Sequence, residues 1–266
     1  MAEGSADHFS AVASEYAAWR PHYPDSLFGW LAGLPAGRGL AWDCGAGSGQ
    51  ATLGLTRFFG RVVATDASGA QLAAASAHPR VEYRVAPAET SGLEAASVDL
   101  VTVAQALHWF DLTAFYAEVR RVLAPGGVLA AWTYGTPRLG DPEPELDRRL
   151  AKFYTETVGP YWPSERRHVE TGYRSLPFPF VELPTPEFEM TACWTLDEML
   201  GYLGTWSATA RFRQARAEDP IALLGQELAP HWGRAGATHS IEWLLSLRVG
   251  RLPPHLPSLD QIGDGE

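Results

Sequence analysis

This chain of 266 residues is poor in the features that give many proteins away. It has two cysteines, Cys44 and Cys193. Two cannot build a disulfide framework, and they do not lie at metal-ligand spacing. Basic residues are outnumbered: 21 Lys and Arg stand against 31 Asp and Glu, for a formal charge of −10. That balance argues against a nucleic-acid backbone as partner, since phosphate recognition needs a basic footprint. No apolar run is long enough to span a bilayer, and no short apolar segment near the start precedes a cleavage-like site. There is no internal repeat. The expected setting is reducing and cytoplasmic, with no membrane partner.

What is present is ordinary for a folded protein: 46% hydrophobic and 20% charged residues. The length suits one large α/β domain, or a core with a smaller cap. From Gly39 onward strands and helices alternate. Strands are predicted at Gly39–Asp43, Arg61–Asp66, Val81–Ala86, Ser97–Ala104 and Val128–Thr133. Val98, Leu100, Val101 and Val103 form the near-continuous apolar run of a strand covered on both faces. Helices are predicted at Gln50–Phe59, Ser68–Ala77 and Asp111–Leu123. In the last, Leu112, Phe115, Val119 and Val122 share a face, Asp111 is a natural N-cap and Pro125-Gly126-Gly127 is a stop signal. The alternation predicts a doubly wound α/β sheet, mostly parallel.

After Thr133 the rhythm breaks into a stretch rich in proline and aromatics. A helix is expected near 143–158, a strand near 186–194 and a capping-box helix from Thr195-Leu196-Asp197-Glu198 to about Leu203. Asp219-Pro220 opens another helix. Ile241, Trp243, Leu245, Leu247 and Val249 alternate into a late strand. The implied organisation is a helical lid segment over 1–38 and a cofactor-binding core over 39–135. A cap over 136–237 follows, containing one core strand, then a final core strand over 238–252 and a tail over 253–266.

The most telling segment is Leu40-Ala41-Trp42-Asp43-Cys44-Gly45-Ala46-Gly47-Ser48-Gly49-Gln50. An apolar strand ends in Asp43, and three glycines follow on alternate positions before a helix begins. Glycine allows the sharp turn and the close approach of backbone to a ligand. The helix start would add unpaired N–H groups for an anion. The spacing is not the G-x-G-x-x-G of a dinucleotide fold, and no lysine makes it a phosphate loop. Asp43 would repel a pyrophosphate and tolerates a cationic ligand. Asp66 ends the second strand 23 residues later, where a carboxylate accepts ribose hydroxyls in the analogous nicotinamide fold. An N-cap ahead of Ser68 is its plainer role. Cys44 reads as a packing residue.

D-x-G-x-G-x-G at a first strand resembles the class I S-adenosylmethionine-dependent methyltransferases. Phe9…Tyr16…Arg20-Pro21-His22-Tyr23-Pro24, Gln105-Ala106-Leu107-His108-Trp109-Phe110 and Arg121-Val122-Leu123-Ala124-Pro125-Gly126-Gly127 sharpen this. Together they are similar to the small-molecule subgroup that includes the trans-aconitate methyltransferases. The resemblance covers the first 135 residues, with a weaker echo at Tyr202-Leu203-Gly204-Thr205-Trp206-Ser207. It implies a seven-stranded Rossmann-like sheet with its last strand antiparallel and with helical cap insertions. It implies S-adenosyl-L-methionine as cofactor and S-adenosyl-L-homocysteine as product.

Carried onto this chain, the family pattern puts Asp43, Gly45, Ala46, Gly47, Gly49, Asp66 and Ala67 around the cofactor. Ala88 and Glu89 lie at the adenine edge, and the backbone carbonyls of Gln105 and Ala106 hold the ammonium. Many relatives have an Asp just before this Ala; Pro87 stands there instead. Tyr16 and Arg20 share a helical face and would cover the cofactor, Arg20 pairing with its carboxylate. His108 is the candidate catalytic residue, with loop packing as its plainer role. Tyr161, Trp162, Trp194 and Trp206 are candidates for the acceptor pocket, or simply cap core. Arg166, Arg167 and His168 could attract an anion; Arg211 and Arg213 are read with equal caution. The expected reaction is methyl transfer to a small molecule, with O-methylation of a carboxylic acid as one form. A macromolecular acceptor, a non-catalytic cofactor-binding protein and a nicotinamide-dependent oxidoreductase are the alternatives.

Overall fold

A computed structural model describes residues 21–140 and 143–252. Tyr16, Arg20 and the tail therefore lie outside the described residues. The first described helix, α1, spans Asp25–Ala32 and buries Leu27, Phe28 and Leu31. The alternating part follows as β1 (Leu40–Cys44), α2 (Gln50–Leu55), β2 (Arg61–Asp66), α3 (Gly69–Ala73), β3 (Val81–Val85) and β4 (Val98–Ala104). A single 3-10 turn, Leu107–Trp109, leads to α4 (Leu112–Val122) and β5 (Leu123–Tyr134).

The sequence-derived elements are in place with shifted ends. Asp111 caps α4 as expected, accepting from the N–H groups of Thr113 (3.0 Å) and Ala114 (3.2 Å). The helix stops at Val122, ahead of Pro125-Gly126-Gly127. Those three residues fall inside β5, where the register against β4 shifts between Val98↔Leu123 and Leu100↔Val128. The proline and glycines thus make a bulge at the strand start, not a helix stop.

Beyond β5 come β6 (Arg138–Leu139), α5 (Pro144–Lys152) running into a π-type turn (Phe153–Thr157), and α6 (Arg166–Glu170). Then follow β7 (Val181–Glu182), β8 (Phe188–Trp194), α7 (Leu196–Gly204), α8 (Ser207–Arg216), α9 (Pro220–Trp232) and β9 (His239–Arg251). Thr195 and Glu198 form the expected capping box of α7. Helix α8 has no clear sequence signal, because Trp206 caps it without a side-chain hydrogen bond.

Among the described residues one sheet runs in the order β3-β2-β1-β4-β5-β9-β6, with β7 and β8 pairing β9 off that path. The first five are parallel, and β9 is antiparallel to all its partners. Leu245 faces Tyr134 on one side and Phe188 on the other, so β8 takes the edge of β9 opposite β5. This is the seven-strand frame with short additions.

Both faces are covered. Val128, Ala130 and Trp132 of β5 enter one core, which the cap helices share; Leu129 and Ala131 enter the other, against α4. Trp42, Trp132 and Trp243 are fully buried. Burial on both faces explains why these strands read as continuous apolar runs.

Candidate functional site

Parallel strands of a doubly wound sheet all end on one side, and the crevice between diverging loops there is where ligands bind. The order reverses next to β1, between β1 and β4. A cavity of about 540 Å³ opens at that point. Its size is that of a cofactor or drug-sized ligand site.

Of the residues singled out in the sequence, Gly45, Ala46, Gly47, Asp66, Ala67, Ala88, Glu89, Gln105, Ala106 and His108 line this one cavity. Pro87 lines it too. Sequence reasoning missed Gln71, Tyr134 and Glu165, which also line it, as does Tyr23. Tyr23 packs edge-on against Trp132, ring centroids 5.5 Å apart.

Asp43 and Gly49 are not on the wall. Asp43 is fully buried beneath the turn and accepts the hydroxyls of Thr52 (2.6 Å) and Thr102 (2.8 Å). Burial pushes its carboxyl up to about 6, against the opposing hydrogen bonds. Gly49 sits at φ +83°, and a Cβ there would lie 2.9 Å from the Tyr83 hydroxyl. The Cys44 thiol is buried and pushed up by that burial, which keeps it inert.

The glycine turn shapes the site more than it donates to it. The N–H groups of Gly45 (2.8 Å) and Ala46 (3.0 Å) go to the Thr65 carbonyl. The Gly47 N–H goes to Asp66 Oδ2 at 2.9 Å, and Asp66 Oδ1 accepts the Ser68 N–H at 2.8 Å. Asp66 therefore ties the turn to the end of β2 while lining the cavity, and burial raises its carboxyl. Gln50 Nε2 is a buried donor without a hydrogen-bond partner, on a residue that lines the cavity. A ligand that brings an acceptor, such as a carboxylate, would satisfy an unpaired buried donor of this kind.

A smaller chamber of about 80 Å³ adjoins the first and shares Gln105, His108, Trp109 and Tyr134 with it. Trp162, Arg166, Tyr202 and Trp206 form its far side. Of the four aromatic candidates, Trp162 and Trp206 line this chamber. Tyr161 lines neither chamber; its hydroxyl accepts from Arg216 Nε at 3.1 Å and its ring packs on Phe212. Trp194 packs into the core against Trp243 and Tyr202. Arg213 is ion-paired with Asp219 at 2.8 Å.

His108 is held on one side by a residue no sequence signal pointed to. Its Nδ1 lies 2.9 Å from the hydroxyl of Tyr173, which is fully buried and 65 positions away. Burial, with help from the charges of Arg166 and His168, holds the imidazole down to about 3, so it is neutral near pH 7.

A parallel sheet with a glycine turn at its switch point and an acid after β2 defines an enzyme class that binds a nucleoside-type cofactor. The comparisons narrow it. The family model for a methyltransferase domain matches residues 42–131. A Dictyostelium discoideum protein named as a methyltransferase is 34% identical over 84% of this chain and 85% of its own length. The solved structure of an Anaeromyxobacter dehalogenans protein named as a type II methyltransferase is 50% identical, covers 89% of this chain and 99% of that one, and superimposes with a TM-score of 0.82. The [4+2]-cyclase SpnF shares the fold alone, at 16% identity and a TM-score of 0.51 over 95% of this chain and 98% of its own. The chain belongs to the class I S-adenosylmethionine-dependent methyltransferases. No described helix is long and apolar enough to cross a membrane.

Proposed function

We propose that this methyltransferase transfers the methyl group to an oxygen of a small carboxylic acid bound in the smaller chamber. One observation carries the reading. Trp162 Nε1 is a buried donor without a partner, and the Arg166 guanidinium lies over the same indole at 4.4 Å. Both residues line the chamber. Arg166 donates through Nε to the Tyr154 hydroxyl (3.0 Å) and forms no ion pair among the described residues. A cation with its terminal N–H groups uncommitted, beside an unpaired N–H, is the donor set a carboxylate completes. The likeness of the Gln105-to-Phe110 loop, with the other motifs, to the small-molecule subgroup supports a small acceptor.

S-adenosylmethionine supplies an electrophilic methyl on a sulfonium sulfur when bound in the larger chamber. The protein's part is to orient and to exclude water. In this reading Asp66 accepts the ribose hydroxyls, and Ala88 and Glu89 meet the adenine. Gln50 meets the carboxylate, and the Gln105 and Ala106 carbonyls meet the ammonium. Arg166 and Trp162 anchor the acceptor while Trp206 closes over it. The free state of Cys44 and Cys193 is in keeping with a cytoplasmic setting. SpnF shows why the fold alone would not carry the reading: chemistry lives in the site. A macromolecular acceptor is disfavoured by the small aromatic-walled chamber and by the charge of −10.

The test is a screen of small acids for uptake of labelled methyl from S-adenosylmethionine, followed by Arg166→Gln on the best acceptor. Loss of a charged hydrogen bond of about 1.5–3 kcal/mol predicts KM raised roughly 10- to 150-fold, with a smaller change in kcat. An unchanged KM, or label appearing only in macromolecules, would overturn the proposal.

A further inference from the structure

The rings that wall the smaller chamber are supported from behind, and one of the supports reaches Arg166. Helix α5 runs into the π-type turn Phe153–Thr157, where the Val158 N–H meets the Phe153 carbonyl at 3.0 Å, five residues back. Turns of this width are rare and recur at functional sites. Two consecutive side chains of the turn pack on one chamber wall. The Trp206 ring lies 6.3 Å from that of Phe153 and 5.8 Å from that of Tyr154. The Tyr154 ring also meets that of Trp162 at 5.4 Å. Tyr154 itself lines neither chamber.

The Tyr154 hydroxyl joins the two ends of α6. Arg166 and Glu170 stand at i and i+4 on that helix, the spacing at which opposite charges ordinarily meet. They form no ion pair here. The tyrosine is interposed. Arginine can only donate, so the hydroxyl oxygen accepts from Arg166 Nε at 3.0 Å. The tyrosine proton goes the other way, to Glu170 Oε1. A hydroxyl polarised by a carboxylate is the stronger acceptor for it. A direct pair with Glu170 would instead occupy the terminal N–H groups. The guanidinium is also stacked: its carbon lies 4.4 Å from the Trp162 ring centroid and 5.5 Å from that of Tyr154. With Nε committed, the donors that remain are those on Nη1 and Nη2, a fork that meets a carboxylate bidentately.

We propose that Tyr154 and Glu170 are positioning residues that hold the Arg166 guanidinium by Nε, so that its Nη1 and Nη2 donors are kept for the carboxylate of the methyl acceptor. This rests on the small-acid reading and deepens it. The arginine is ordered before the acceptor arrives, which lowers the cost of binding. Neither positioning residue touches the acceptor, so their effect falls on its affinity and not on the chemical step.

The hold and its use are measured separately. In the full chain with isotopic nitrogen in arginine, NMR follows each Nε–H, and Arg166→Lys assigns the signal of Arg166. That proton is expected to exchange slowly with water. Tyr154→Phe removes its acceptor and should speed the exchange to that of an exposed arginine. Glu170→Gln, at an exposed position where the fold is safe, should speed it less. Exchange unchanged in every folded variant overturns the hold. For its use, benzoate is titrated by calorimetry into protein saturated with S-adenosylhomocysteine. Tyr154→Phe should weaken benzoate roughly 2- to 12-fold, the cost of ordering one freed arginine side chain, and Glu170→Gln by less. In an Arg166→Gln background Tyr154→Phe should add nothing. Losses that simply add would show Tyr154 acting without Arg166, and would overturn the proposal. If Arg166→Gln weakens benzoate while the folded Tyr154 and Glu170 variants do not, the positioning role falls and the carboxylate anchor stands. If benzoate does not bind, or binds Arg166→Gln as well as the parent, the anchor falls too.

Discussion

Adding a single methyl group at Gly45 and at Gly47 should have different consequences, although both glycines line the cofactor cavity. Gly45 is at φ +69° and Gly47 at φ +55°. An alanine in left-handed backbone costs about 1–2 kcal/mol at either site. The surroundings then separate them. A Cβ on Gly45 would lie 2.6 Å from the Ala106 Cβ and 3.1 Å from the Phe110 ring. Ala106 belongs to the loop after β4, whose backbone is fixed, so the clash can be relieved only by moving that loop. Overpacking of this kind adds about 1–3 kcal/mol. A Cβ on Gly47 meets only Gln71 Oε1, at 3.8 Å, an ordinary contact. Gly45→Ala should therefore destabilise by roughly 2–5 kcal/mol and Gly47→Ala by about 1–2 kcal/mol. At about 2–4 °C per kcal/mol for a chain of this size, the losses in Tm are roughly 4–20 °C and 2–8 °C. Thermal unfolding without cofactor checks the difference, and calorimetry with S-adenosylhomocysteine follows affinity in the same samples. Equal Tm losses would refute the reasoning, because the backbone cost is common and only the contacts with Ala106 and Phe110 distinguish the sites.

Three further outcomes are expected. Asp66→Ala removes the acceptor of the Gly47 and Ser68 N–H groups as well as a cavity carboxylate. S-adenosylhomocysteine affinity should fall roughly 10- to 150-fold by calorimetry, and an unchanged Kd would exclude Asp66 from the cofactor site. Gln50→Ala deletes a donor that has no partner in the protein. It should weaken the same ligand while leaving Tm within about 2 °C, and the reverse pattern would count against the assignment. Asp43→Asn should change the pH dependence of stability. Burial raises this carboxyl from 3.8 to about 6, so the folded state binds the proton more tightly than the unfolded one. The stability it contributes is complete below about pH 4 and is lost as pH rises through 6. Asparagine cannot ionise, so the variant should gain on the parent by about 3 kcal/mol between pH 4 and 7. Parallel urea-unfolding curves at the two pH values would rule this out.

The core was legible because its strands are buried on both faces. Val98 to Val103 and Val62-Val63-Ala64 have no polar alternation to confuse their reading, and β2 has the expected ends. Asp111, Thr195 and Asp219 announced their helices because a cap is a local interaction. Helix α8 was not legible, since Trp206 offers its N-terminus no side-chain acceptor. Pro125-Gly126-Gly127 misled because the same residues that stop a helix also permit a bulge. Ten residues of the cavity could be named in advance because they follow strand ends, and parallel strands all end at one place. Tyr161 was misplaced and Tyr173 missed for a common reason: the cap has no repeating rule that says which aromatic faces inward.

The sequence alone determined the class of ligand. Asp43, the three glycines, Asp66 and the loop after β4 are local signals at strand ends, and the handedness of the fold brings strand ends together. Tertiary structure decided how those residues are used. It put Asp43 under the turn instead of on the wall, spent the N–H groups of Gly45, Ala46 and Gly47 on Thr65 and Asp66, and left Gln50 Nε2 buried without a partner. It also set Tyr173 against His108 and Arg166 beside Trp162. Such pairings join residues far apart in the chain through packing of the cap. No periodicity or spacing encodes them, because burial and hydrogen-bond direction exist only once the chain has closed on itself.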